Sequence, residues 1–145
     1  MIVHAGLIAR RLGGTWRGLL IRGPSGAGKS DLALRALGEG FRLVADDRVV
    51  LWEAAGRLYG RAPDTLSGLI EVRGLDVLPV EPVPFCEVVM AVQLEPPAER
   101  MPERATEAIL GVPIPLLAAD PFEISAPAKL GRALEVFDAA HKRRI

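Results

Sequence analysis

The chain's most chemically informative residues are the run Gly23, Pro24, Ser25, Gly26, Ala27, Gly28, Lys29 and Ser30, which satisfies every fixed position of the pattern G-x-x-x-x-G-K-[ST]. Glycines at these positions let successive backbone N–H groups turn inward and line a concave anion site. Lys29 adds a point charge within reach of the outer phosphates of a nucleotide, and the Ser30 hydroxyl suits a magnesium ion bridging them. The pair Asp46-Asp47 follows sixteen residues after Ser30. Two adjacent carboxylates there offer two roles, one toward a metal shell and one as acceptor of a proton from an attacking hydroxyl. The competing reading of the pair is a surface turn, where aspartate is common.

Both features need elements to hold them. Gly18-Leu19-Leu20-Ile21-Arg22 reads as a buried strand entering the loop. Leu32, Ala33, Leu34, Ala36 and Leu37 are good helix formers, and Gly38 and Gly40 stop that helix. Strand, glycine loop and helix is the arrangement the motif requires, with the helix N-terminus aimed at phosphate. Phe41 to Ala45 reads as a second buried strand that delivers the two aspartates.

Around this centre, residues 2–9 read as a first strand, turned by Gly13-Gly14 into Trp16 to Ile21. Val49 to Glu53 and Arg57 to Arg61 form a hairpin about Ala54-Ala55-Gly56. Leu69 to Arg73 and Phe85 to Leu94 are further strands, while the prolines of 79–84 exclude a central strand there. Pro96 to Pro102 is an exposed connection, and Pro113, Pro115 and Pro121 imply irregular chain. Leu130, Ala133, Leu134, Phe137 and His141 recur at helical spacing, so an amphipathic helix with a basic tip ends the chain.

At 145 residues with a formal net charge of zero, the chain suits one domain, 1–145, and carries no charge bias toward nucleic acid or membrane. No run reaches membrane-spanning length free of charge. The single cysteine, Cys86, cannot form an internal disulfide, and a cytoplasmic setting is expected.

Three blocks together bring a family into view: Gly23 to Asp31, Arg42-Leu43-Val44-Ala45-Asp46-Asp47-Arg48-Val49, and Ile70-Glu71-Val72-Arg73-Gly74-Leu75. In content, order and rough separation they resemble the catalytic domain of HPr kinase/phosphorylase, over about residues 2–102. The resemblance implies an α/β phosphate-loop kinase domain akin to phosphoenolpyruvate carboxykinase, with a mixed central sheet and flanking helices. It implies an ATP- and Mg2+-dependent protein-serine kinase acting on an HPr-like phosphocarrier of a phosphotransferase system. A reverse reaction would use inorganic phosphate and release pyrophosphate. A homo-oligomer, typically a hexamer, is also implied.

Carried across by that resemblance, Lys29 would hold the β- and γ-phosphates. Ser30, Asp46 and Glu71 would serve the magnesium, with Arg73 on the same strand as Glu71. Asp47 would take the serine proton. His4, in Val3-His4-Ala5-Gly6, matches a family histidine upstream of the loop, and Arg100 sits where the family places an arginine reaching the phosphates. Read without the resemblance, Glu71 and Arg73 could equally form an exposed ion pair of little energetic value. In two places the chain departs from the family pattern. It starts directly at the catalytic domain, which puts regulation through an amino-terminal domain in doubt. Residues 125–131 keep only a proline and basic character, which puts phosphorolysis in doubt. A small-molecule kinase and a nucleotide-binding sensor without transfer chemistry are the alternatives.

Overall fold

A computed structural model describes residues 1–137 of the chain. The strands are β1 (Ile2–His4), β2 (Gly6–Leu12), β3 (Thr15–Arg22), β4 (Arg42–Ala45), β5 (Arg48–Ala54), β6 (Arg57–Arg61), β7 (Leu69–Val72), β8 (Asp76–Pro79), β9 (Cys86–Leu94), β10 (Ala105–Ile109) and β11 (Val112–Ala119). The helices are α1 (Lys29–Leu37) and α2 (Ala126–Phe137), with a single 3-10 turn at Asp64–Leu66. Among the described residues, nine strands join in one mixed sheet, and β7–β8 form a separate hairpin.

The centre of the sheet is the parallel pair β3–β9, with Leu20 opposite Ala91 and Ile21 opposite Val92. These strands read as unbroken apolar runs because both of their faces are buried. Alternation then sorts the side chains: Leu19 and Ile21 pack with Leu32, Ala36, Leu130 and Leu134 of the helices. Leu20 turns the other way, toward Leu7, Val49, Leu51 and Ile114. Both helices therefore cover one face, and strands cover the other.

Gly18 shows how tightly β3 and β9 approach. A Cβ at this position would lie 2.5 Å from Cys86 Sγ and 2.7 Å from the Glu87 carbonyl oxygen. The sheet register also shifts here, between Gly18 and Leu19. A backbone oxygen cannot swing aside as a side chain can. Gly18→Val is expected to cost about 1–3 kcal/mol, or to prevent folding, through overpacking. Urea denaturation of the purified variant checks this, and an unchanged midpoint contradicts it.

Three elements differ from the sequence expectations. Residues 2–9 are two strands, because the chain leaves β5 at Ala5 and moves on to pair with β3 and β4. Pro113 and Pro115 lie inside β11 rather than in irregular chain. Their spacing of two points both ring nitrogens at one edge of the strand, and β11 meets β9 only from Leu116 onward. The missing donors thus face no ladder partner, which is where a strand tolerates proline. The third difference is β8, whose four residues are all exposed and carry no alternation to read. The basic tip and His141 lie outside the described residues.

Candidate phosphate-binding and transfer site

The phosphate loop joins β3 to α1, as the spacing requires. Gly26 and Gly28 both take left-handed φ, 82° and 97°, a region that costs other L-residues more. Gly28 is the N-cap and supplies no side-chain acceptor, so the first N–H groups of α1 stay directed at the cleft. Lys29 Nζ lies over the loop, donating to the carbonyl oxygens of Gly23 at 2.7 Å and Pro24 at 2.9 Å.

Beside the loop is a cleft of about 270 Å³ lined by Ser25, Gly26, Gly28, Lys29, Ser30 and Asp31 on one side, with Asp47, Glu71 and Arg73 completing the wall. The two aspartates, adjacent in sequence, have opposite surroundings. Asp46 is buried, and both its oxygens are engaged: Ser30 Oγ donates to Oδ1 at 2.7 Å, and the Glu71 N–H donates to Oδ2 at 2.9 Å. Asp46 thereby ties α1 to β7. Its side chain is not part of the cleft wall. Asp46→Ala leaves two polar groups unpaired and is expected to cost about 1–3 kcal/mol. A thermal denaturation midpoint equal to that of the parent would contradict this.

Asp47 is exposed and sits at φ 70°, uncommon for any residue but glycine. Backbone bonds hold the turn: the Ala5 N–H donates to the Asp47 carbonyl at 3.1 Å, and the Arg48 N–H donates to that of Asp46 at 2.8 Å. Strained backbone that persists because its surroundings fix it is concentrated at functional positions. Arg48 lies 3.8 Å from the Asp47 carboxylate, an exposed and weak pairing.

The cleft thus gathers the loop residues, Ser30, Asp47 and Glu71, and Asp46 stands directly behind Ser30. Arg73 forms no ion pair with a described residue, so the exposed Glu71–Arg73 pair does not form, and both side chains border the cleft instead. His4 and Arg100 are not among the lining residues. His4 is exposed at the end of β1, in register with Arg48, and Arg100 lies on the exposed connection between β9 and β10. Asp31 also lines the cleft and was not singled out from sequence. Its place just after Ser30 in the first helical turn, where acidic residues are ordinary, gave no signal.

Arg22, the last residue before the loop, reaches across to Glu107 of β10 with a two-pronged contact, one prong at 2.9 Å. The hydrogen bonds to Arg22 hold the Glu107 carboxyl below its usual range, and burial opposes this less strongly. A depressed carboxylate adds stability above its unfolded pKa, near 4.5, and that stability is lost as pH falls through the lower folded value. Glu107→Gln is therefore expected to flatten the loss of stability below pH 4.5. Denaturation at stepped pH reads this directly, and parallel curves would contradict it.

A β-strand running through a glycine loop into a helix N-terminus, with carboxylates across the cleft, defines the phosphate-loop class of α/β domain. Within that class the family is specific. Residues 12–95 match the model of the HPr Serine kinase C-terminal domain, and the chain belongs to that family. It is 51% identical over 63 residues to the HPr kinase/phosphorylase of Clostridium tetani, covering 43% of this chain and 21% of that protein. It is 35% identical over 133 residues to the HPr kinase/phosphorylase of Limosilactobacillus reuteri, covering 82% of this chain and 39% of that protein. The chain thus spans well under half the length of these relatives. The solved Hpr(Ser) kinase/phosphatase of Coxiella burnetii superposes with a TM-score of 0.78 at 24% identity, over 99% of this chain and 97% of that one. That likeness is one of fold. No described helix is long and apolar enough to cross a membrane.

Proposed function

We propose that the chain is a protein-serine kinase that transfers the γ-phosphoryl group of ATP to a serine of an HPr-like phosphocarrier. The observation that carries this reading is the Asp46-Asp47 turn, which buries one carboxylate behind Ser30 and holds the other in the cleft. In the transfer, Asp47 accepts the serine proton and the serine oxygen bonds to the γ-phosphorus. The bond to the β–γ bridging oxygen then breaks and ADP departs. Lys29 and the inward N–H groups of the loop stabilise the charge that spreads over the phosphoryl oxygens.

The residues present fit a magnesium ion. Because the Ser30 hydroxyl donates its proton to Asp46, its lone pairs are left for a cation, and Glu71 adds a carboxylate on the same wall. Magnesium prefers such oxygen donors, few in number and shared with phosphates. When bound it would neutralise charge on the β- and γ-phosphates. Asp46 acts on it through Ser30, as a positioning residue. A cytoplasmic homo-oligomer, a hexamer by resemblance, belongs to the same proposal, as does phosphorolysis with Asp47 returning its proton to the departing serine. His4 and Arg100 enter it only if substrate binding brings them to the cleft.

The discriminating experiment is ATP turnover with magnesium, with and without an HPr-like carrier. Turnover that depends on the carrier supports the kinase. Turnover with small hydroxyl compounds alone would point to a small-molecule kinase, and nucleotide binding without any transfer would point to a sensor.

A further inference from the structure

A cavity of about 620 Å³ lies at the far end of β3 from the phosphate loop and plays no part in the chemistry above. Thr15 to Arg17 open β3, whereas the loop follows Arg22, so the two sites are separated by about 20 Å of extended strand. The volume falls in the range of small-molecule sites.

Its lining combines two chemistries. Trp16, Tyr59 and Phe85 supply aromatic surface, extended by Trp52, which stacks on Tyr59 at 5.8 Å between ring centroids and lies 6.3 Å from Phe85. Arg17, Arg42 and Arg57 share the lining with one carboxylate among the described residues, Glu87. Arg17 is buried and donates to Glu87 at 3.1 Å, and Arg57 lies 3.6 Å from the same carboxylate. Arg42 instead donates to the Glu81 carbonyl at 3.2 Å and lies over the Trp16 ring. Burial, and then Glu87, push the Cys86 thiol up to about 12, so it adds no negative charge. Arg42 and Arg57 therefore stand against one carboxylate among the described lining residues, Glu87, which leaves positive charge beside flat aromatic faces.

We infer that this pocket is a second ligand site, for a small organic anion whose flat apolar body lies against Trp16, Tyr59 and Phe85 and whose phosphate or carboxylate is held by Arg42 and Arg57. Guanidinium groups match both anions with paired hydrogen bonds. Glu87, fixed in register between Arg17 and Tyr59, would orient the arginines rather than touch the anion.

Of the chain's two tryptophans, Trp16 lines the pocket and Trp52 stacks on Tyr59 of its lining, so intrinsic fluorescence reports on it without labelling. Phenyl phosphate and benzoate serve as probes, with inorganic phosphate and phenol as the separate halves. The inference expects saturable quenching by at least one aromatic anion, binding more tightly than either half alone. The better of the two probes tells which anion the pocket prefers. Arg57→Ala, at an exposed position, and Arg42→Ala should each weaken that binding by about tenfold, the worth of a charge-assisted contact. Arg42→Lys, which keeps the charge, should recover part of it. Lys29→Ala should leave it unchanged. No saturable response, or affinity lost in Lys29→Ala and kept in both arginine variants, would overturn the inference.

Discussion

Asp47→Asn is expected to lower phosphotransfer to the carrier by a factor on the order of 10²–10⁴, the usual worth of a positioned general base, while nucleotide affinity stays at the parent value. The asparagine side chain keeps the size and tolerates the left-handed backbone at φ 70°, so the turn survives. In the proposed mechanism it loses only the capacity to accept the serine proton. The Asp47 side chain makes no hydrogen bond that the fold needs, since the turn is closed by backbone groups of Ala5, Asp46 and Arg48. Stability should therefore be unchanged. Single-turnover kinetics with saturating carrier separates the two effects, and full activity in this variant would remove Asp47 from the role of base.

Lys29→Ala is expected to act differently. Lys29 brings its charge to the mouth of the loop, where the Gly23 and Pro24 carbonyls hold it in place. A phosphoryl group in transfer carries charge on its outer oxygens, and removal of a single preorganised donor costs on the order of 10²–10³ in rate. Because in the proposed site the same lysine would also contact ground-state phosphates, nucleotide affinity should fall together with the rate constant. The contrast between the two variants, one affecting rate alone and the other affecting both, distinguishes a base from a phosphate clamp. Retention of both constants in Lys29→Ala would mean that nucleotide binds elsewhere.

How far these residues are legible in sequence depends on how local their signals are. Gly23 to Ser30 is self-contained: one strand, one turn chemistry and one helix start, all within twenty residues of chain. Asp46-Asp47 is legible because Phe41 to Ala45 carries it in directly, though the sequence does not say which aspartate is buried. That division depends on Ser30 and on the backbone of Glu71, twenty-five residues further on. The hairpin around Ala54-Ala55-Gly56 and the run ending at Leu94 announce themselves by turn residues and apolar length. The β3–β9 parallel pairing does not, since it joins segments about seventy residues apart.

The misread prolines of β11 show the same limit. Proline excludes a ladder donor, but whether a partner would have faced that donor depends on where β9 stops pairing. Arg22 and Glu107 likewise meet across a separation of 85 residues, and neither stands out in its own segment. Residue types carried the chemistry, and long-range topology decided which of them meet.

The central claim is that Asp47, held in the cleft by a strained turn, activates a carrier serine toward a nucleotide bound at Gly23 to Ser30. The most direct measurement is transfer of label from the γ-phosphate of ATP to an HPr-like carrier, with the modified residue located by mass spectrometry. Acid-stable phosphate is expected on one serine of the carrier with the parent chain, and almost none with Asp47→Asn under conditions where both bind nucleotide equally. Equal labelling by the two proteins, or no labelled serine with the parent chain, would contradict it.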